Sequence, residues 1–210
     1  MPLSSVLGAQ SITKPGVCTS TTRPASPYDG QVIYETDTDR VASYNGSAWV
    51  YTATGTVLQV KSTIKTDTFS STSTTYTDIT GLSVSITPNS TSNKVLVMLT
   101  INVSQTQDRA TFIQLVRNST AIAIGDAAGN RQRASGFATS SYTDSSTENF
   151  SENMGIMFLD SPATTSSTTY KAQGLVNTTG TFCVNRMLND TDASTRPRTV
   201  STITVFEVIA

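Results

Sequence analysis

The sequence has 210 residues, a formal net charge of -1 and a charged fraction of 14%. This length suits one medium-sized domain with a small domain or an arm. A nearly neutral chain has no long-range attraction for nucleic acid or for an anionic membrane. No apolar run approaches the ~18 residues of a membrane-spanning helix, so we expect neither a nucleic-acid partner nor membrane insertion.

Serine and threonine together make up roughly a third of the chain, far above ordinary usage. Threonine is β-branched and fits the exposed face of a pleated sheet. The composition therefore allows either a β-rich domain or a disordered chain. The alternating apolar residues along the sequence favour the folded β protein.

Residues 1–27 contain the prolines Pro2, Pro15, Pro24 and Pro27 and show little periodicity. Proline disfavours helix for itself and for its predecessor, so this segment is predicted to be an extended arm. It lacks a basic segment followed by an apolar one, and we expect no secretory signal.

A short β-meander is predicted after the arm. Residues 31–35 alternate as a strand, and Thr36–Asp39 have the composition of a turn. Residues 41–44 and 48–51 form two further strands, joined at Asn45-Gly46, a strong hairpin signal. The segment therefore predicts a three-stranded antiparallel sheet.

Four large aromatic residues lie on this small sheet: Tyr34, Tyr44, Trp49 and Tyr51. A single small sheet is marginally stable in water unless one face is covered. The cover could come from the rest of the chain, from symmetry-related copies or from another protein. Aromatic clusters are typical of interfaces, so we predict an assembly interface at these four residues.

The remainder of the chain alternates as a series of strands with no convincing amphipathic helix. The strand of residues 152–160 is apolar on both faces. The last strand, residues 199–210, also has apolar residues on both sides, which predicts burial of both its faces. Regular spacing and polar loops predict an all-β fold, with a jelly-roll-like β-sandwich over residues 56–210 and an attachment module over residues 1–55. The predicted strands are 57–65, 76–88, 94–104, 110–120, 121–130, 152–160, 168–177 and 199–210.

The sequence contains no histidine, and no phosphate-binding, dinucleotide-binding or C-x-x-C motif. Histidine-dependent catalytic and metal sites are therefore excluded. Cys18 and Cys183 match no metal or redox spacing. Two unpaired thiols are the favoured interpretation, and a single disulfide between them is the alternative. We expect no catalytic residue, no metal and no cofactor.

Two small basic clusters occur in polar segments, Arg131 with Arg133 and Arg196 with Arg198. Solvated loop charges are the simpler interpretation. The functional alternative is contact with a protein or with a glycan carboxylate, which the planar guanidinium binds well. With Tyr142 and Asp144 of another polar segment, these arginines are candidate distal contact loops.

The segment "RPASPYDGQVIYETDTDRVASYNGSAWV", residues 23–50, resembles a module of tail-fibre-like and other structural proteins of tailed bacteriophages, cyanophages among them. The later segments "ITGLSVSITP", "KVLVMLTINVS" and "STITVFEVIA" resemble the β-sandwich that follows it in such proteins. The resemblance implies a virion component assembled in the host cytoplasm, usually trimeric, without a cofactor.

Three functions remain open from the sequence. The first is a non-enzymatic trimeric fibre or fibre-tip protein, whose partners would be further copies, other virion proteins such as capsid, portal, tail or fibre proteins, and a host surface glycan or protein. The second is a capsid decoration protein that stabilises the head. The third is a depolymerase of surface polysaccharide, for which no clear acid pair is evident.

Overall fold

The computed structural model describes residues 15–51, 57–106, 108–139 and 150–209. The chain divides into two compact units, Met1–Thr56 and Val57–Ala210. Every regular element within the described residues is a β-strand, which confirms the predicted all-β class. No helix in this part of the chain is long and apolar enough to cross a membrane.

The first unit contains a four-stranded sheet with the strand order β1-β2-β3-β4. The predicted antiparallel meander is confirmed, because β2 pairs with β3 and β3 pairs with β4 in antiparallel register. The predicted arm is extended at Gly16–Cys18, where β1 pairs in parallel with β2, a pairing that the sequence did not predict. The strands are β1 Gly16–Cys18, β2 Val32–Glu35, β3 Arg40–Tyr44 and β4 Trp49–Tyr51.

Within residues 57–106, 108–139 and 150–209, the second unit has eleven strands in two sheets. One sheet has the order β5-β15-β8-β14-β6, with β12 also paired to β8; the other has the order β10-β9-β13-β7, with β11 also paired to β9. The strands are β5 Val57–Lys65, β6 Phe69–Ser71, β7 Thr77–Ile86, β8 Lys94–Gln105, β9 Ala110–Arg117, β10 Thr120–Ile122, β11 Gly136–Thr139, β12 Glu152–Asp160, β13 Thr168–Val176, β14 Phe182–Val184 and β15 Ser201–Val208.

The second unit without its three-residue strands β6, β10 and β14 has eight strands. These eight strands pair in the pattern of a long hairpin that is rolled into a sandwich. Taken in chain order, the first pairs with the eighth (β5 with β15), the second with the seventh (β7 with β13), the third with the sixth (β8 with β12) and the fourth with the fifth (β9 with β11). The contacts β15 with β8 and β13 with β9 then complete two four-stranded sheets. This arrangement is a jelly roll, as the sequence predicted.

The core lies between the two sheets and is formed by alternate residues of the long strands. Val95, Val97, Leu99, Ile101 and Val103 of β8 are all buried, because successive side chains of a strand point to opposite faces. Their counterparts from the facing sheet include Leu82, Val84, Ile113, Leu115, Tyr170 and Ala172.

The sequence prediction failed in the short elements. Residues 121–130 do not form a strand; only Thr120–Ile122 pair with β9, and the chain then leaves the sheet as a loop. The three-residue strands β6 and β14 and the four-residue strand β11 lie in segments that were predicted as polar loops or left unassigned. Such elements are too short to show periodicity.

Candidate assembly surfaces and contact loops

The inner face of the first unit is organised around the fully buried carboxylate of Glu35. Arg23 Nε donates to Glu35 Oε1 at 2.5 Å, and the hydroxyls of Thr38 and Tyr51 each donate to Glu35 Oε2 at 3.0 Å. The hydrogen bond from Arg23 holds the pKa of Glu35 below its ordinary value and raises that of Arg23 itself. A buried charge is tolerated only when it is paired and hydrogen-bonded, so this contact fixes the segment that carries Arg23.

Three of the four predicted interface aromatics belong to this same inner face. Tyr44 packs on Trp49 with ring centroids 5.5 Å apart, and the Tyr51 ring lies 4.4 Å from the guanidinium carbon of Arg40. Tyr34 lies on the opposite face, where its hydroxyl donates to Asp39. All four rings are half-buried within the described residues, and their role in assembly stays a prediction.

The opposite face of this sheet is apolar and open. We call it the valine face: Val17, Tyr34 and Val41 form one row across β1-β2-β3, and Val32, Ser43 and Val50 form the next row across β2-β3-β4. Val17 is 69% exposed and Val50 45%. None of these six positions carries a charge.

The second unit has a larger open apolar surface on the sheet of β5, β15, β8 and β12. Alternate residues of these strands face away from the core, and we call the three central rows of them the apolar outer face. No position in these rows is charged. The rows are Val60, Phe206, Leu96 and Leu159; Ser62, Thr204, Met98 and Met157; and Ile64, Thr202, Thr100 and Gly155. The next row, beyond Leu96, contains Lys94 opposite Val208.

A projection and a recess lie side by side on the apolar outer face. Met157 is 67% exposed. Gly155, two residues earlier on β12, has no heavy atom within 4 Å of the position that a Cβ would occupy. A recess of about 230 Å³ opens there, lined by Met98, Thr100 and Met157 among others.

The outer face of the other sheet is polar and internally hydrogen-bonded. Lys171 Nζ and Gln173 Nε2 donate to the two carboxylate oxygens of Asp78 at 2.8 and 2.6 Å. The hydroxyls of Ser85 and Thr169 lie 2.8 Å apart in a further hydrogen bond. We call this surface the polar outer face, and its composition suits contact with water.

Arg131 and Arg133 lie on the exposed loop between β10 and β11, at one end of the polar outer face. Arg133 Nε donates to the Gly125 carbonyl oxygen at 2.7 Å, and the Tyr76 hydroxyl donates to the Arg133 carbonyl oxygen at 2.6 Å. The loop borders two overlapping clefts of about 300 and 390 Å³. Both clefts include Phe112 and Phe137, which are stacked with centroids 6.2 Å apart.

The other predicted contact residues are placed differently. Arg198 forms an ion pair of 2.5 Å with Asp190, and Arg196 donates to the Thr191 hydroxyl, so this cluster stabilises its own loop. Tyr142 and Asp144 lie outside the described residues. The sequence analysis missed Phe112 and Phe137, because their pairing depends on the register of β9 with β11, which no local pattern specifies.

No group of three potential metal-ligating residues occurs within residues 15–51, 57–106, 108–139 and 150–209. Cys18 and Cys183 are both free thiols. Cys183 is buried, and burial raises its pKa, which makes this thiol a poor nucleophile.

No family model and no curated protein matches the chain. Similar solved structures include a VP2 mutant of infectious bursal disease virus in derived T=1 particles, with 14% identity and a TM-score of 0.37, covering 88% of this chain and 44% of that one. Another is the T=1 particle derived from the same virus, with 13% identity, a TM-score of 0.35, and coverage of 88% of this chain and 47% of that one. The present chain thus spans less than half of each, and the fold assignment depends on strand pairing alone.

Proposed function

We propose that this chain is a non-enzymatic structural protein of a tailed-phage virion. In this proposal it is a homotrimeric fibre or fibre-tip protein, attached through its first unit and contacting the host surface with loops of its second unit. The resemblance of residues 23–50 to a module of such virion proteins supports the class of protein. The valine face is the single observation that carries the mode of attachment.

The physical argument starts from the size of the first unit. A small sheet gains little stability from its own burial, and here the inner face encloses a carboxylate rather than a large apolar core. The valine face nevertheless exposes an uncharged apolar surface on such a unit. Contiguous exposed apolar surface is characteristic of a protein–protein contact, and another virion protein with an apolar surface is the partner we propose.

The loops of the second unit supply the proposed host contact. Binding residues are commonly found on loops held by a rigid scaffold. The loop of Arg131 and Arg133 is such a case, because hydrogen bonds to Gly125 and from Tyr76 hold it beside the exposed ring of Phe137. A cleft lined by arginine and phenylalanine side chains suits a glycan carboxylate or a protein surface.

Incorporation into particles tests the attachment. Val50→Glu places a charge on the valine face, and we expect particles assembled with this variant to carry far less of the protein than wild-type particles. Ala25→Glu is the matched control, since Ala25 is exposed and lies outside the valine face. Equal incorporation of the two variants would show that the valine face does not attach the protein.

Antibody labelling of particles separates the fibre from the decoration protein. Label on the tail in few copies supports the fibre, whereas label distributed over the head in many copies would replace it with the decoration function. Release of new reducing ends from host surface polysaccharide by the purified protein would contradict the non-enzymatic assignment.

A further inference from the structure

We infer that a second copy of this chain covers the apolar outer face, so that this face forms the contact between copies in the proposed trimer. The inference rests on the proposed homotrimer and adds which surface builds it. It is independent of the valine face, which concerns attachment to other virion proteins.

The two outer faces of the jelly roll differ in polarity, as expected if only one of them is covered by another protein chain. Both are four-stranded sheet surfaces of the same unit, yet one displays Val60, Ile64, Met98, Met157 and Leu159 at 38–67% exposure. The other displays the hydrogen-bonded side chains of Asp78, Lys171 and Gln173 described above. Antiparallel sheets commonly have one face in the core and one face in water with polar side chains. The polar outer face follows this rule except at Phe112 and the 59% exposed Phe137 at one end, whereas the apolar outer face departs from it over three rows and is expected to meet protein.

The chemistry of the face restricts its occupant. A partner that placed a charge on it would bury that charge without a counter-charge, because the three rows offer none, and such burial is costly. The partner surface must therefore be uncharged and of similar extent. Another copy of the same face meets both conditions.

The extent of the face agrees with an interface between copies. Three rows spaced about 7 Å apart, on four strands that lie about 4.8 Å from one another, give a surface of roughly 400 Å². An interface of standard size buries about 800 Å² on each partner. The apolar outer face would therefore supply about half of one side of such an interface, and the residues around it would supply the rest.

The projecting Met157 and the recess over Gly155 give the apolar outer face a shape that is suited to a contact between copies. Because Met157 projects beside the recess over Gly155, one copy can insert Met157 into its neighbour and receive the methionine of the other neighbour. A projection and a recess on the same molecule form head-to-tail contacts, which close into a ring when the rotation between copies permits. Three copies would then surround an axis with their apolar outer faces towards it.

The test uses the full-length protein and Met157→Glu, which is compatible with the single chain because Met157 is exposed there. We expect wild-type protein to sediment as a trimer, and the concentration for half-dissociation to rise by at least ~100-fold in the variant, since an unpaired buried charge costs several kcal/mol. Ser85→Glu, on the polar outer face, is the matched control and should remain a trimer. A Met157→Glu protein that stays as fully trimeric as Ser85→Glu would overturn the inference.

Peroxide oxidation gives a second readout without mutation. Met157 is exposed in the single chain, whereas Met154, three residues earlier on the same strand, is 8% exposed. In the native trimer we expect Met157 to be oxidised as slowly as Met154. Rapid oxidation of Met157 in the intact trimer would contradict the inference while leaving the proposed function unaffected.

A monomer would also overturn the inference, and the oxidation rate then identifies the reason. Slow oxidation of Met157 in a monomer would mean that the first unit of the same chain covers the face. Rapid oxidation in a monomer would mean that the face is open. Particle incorporation and antibody labelling test the virion role separately. A failure of the inferred contact between copies can therefore be distinguished from a failure of the proposed function.

Discussion

Arg23 and Glu35 are separated by 12 residues in the sequence, and the Arg23 Nε lies 2.5 Å from the buried Glu35 Oε1. This contact joins the segment before β2 to the end of β2. Among the described residues it is the one charged contact of this carboxylate, because the other two donors to Glu35 are neutral hydroxyls.

Arg23→Gln should therefore lower the urea midpoint of the first unit, because it leaves the Glu35 carboxylate buried without its cation. Trp49 is the only tryptophan of the chain and lies in this unit, so its fluorescence reports the transition directly. Arg40→Gln is the matched control, since Arg40 contacts the Tyr51 ring and not the carboxylate. Equal losses in the two variants would contradict the role given to the Arg23–Glu35 pair.

The first unit should lose stability in acid. The pKa of Glu35 is depressed below its ordinary value of 4.5 by Arg23. A depressed carboxyl pKa contributes stability that is present above the unfolded-state value and is lost as the pH falls through the folded-state value. We expect the Trp49 urea midpoint to be steady from about pH 7 to about pH 4.5 and to fall below that.

Part of this acid dependence should remain in Glu35→Gln, because the Ser20 hydroxyl also lowers the pKa of Asp37. The double variant with Asp37→Asn should show the smallest dependence. A midpoint that is the same at about pH 7 and about pH 3 in wild-type protein would be inconsistent with a depressed pKa at Glu35.

Gly174→Ala should destabilise the second unit by about 1–3 kcal/mol through overpacking. A Cβ at this position would lie 2.8 Å from Phe182 Cζ and 3.2 Å from Ile113 Cδ1, and both neighbours are buried. Calorimetric unfolding measures the effect. Gly125→Ala is the control, because a Cβ there meets no heavy atom within 4 Å, and a comparable loss in it would remove the packing explanation.

Gln105→Met should stabilise the second unit by about 1–3 kcal/mol, the cost of burying an amide without a hydrogen bond. Gln105 is 2% exposed, and neither side-chain polar atom has a partner among the described residues. Gln114→Met is the matched control, because Gln114 Nε2 donates to Gln173 Oε1 at 2.7 Å. A lower unfolding temperature for Gln105→Met would indicate that a bound water satisfies the amide.

The long strands could be predicted from the sequence because their residues alternate over many positions, as in Lys94–Gln105. The hairpin at Asn45-Gly46 was predictable from local chemistry, and Gly46 has a φ of 88°. The parallel strand Gly16–Cys18 was not, since three residues carry no period and the pairing is with a distant strand. Short elements depend on tertiary contacts that a local pattern does not contain.

The candidate surfaces were predicted only in part. The apolar residues on both sides of β15 predicted burial of both its faces, but Phe206 and Val208 are only half-buried in the single chain. Met157 and Leu159 of β12, in the same sheet, are exposed. Periodicity identifies a surface that avoids water, and it does not specify which molecule covers that surface. The cleft beside Arg131 was missed for a similar reason, because Phe112 and Phe137 meet only through strand register.

The position of β15 has a consequence for biosynthesis. This strand is inserted between β5 and β8, so both neighbours have an unsatisfied edge until residues 201–208 have left the ribosome. A nascent or prematurely terminated polypeptide would present two such edges at once, and open edges are templates for aggregation. The sheet of β5, β15 and β8 can therefore close only after residues 201–208 have emerged, whereas the pairings of β8 with β12 and of β7 with β13 do not require this strand.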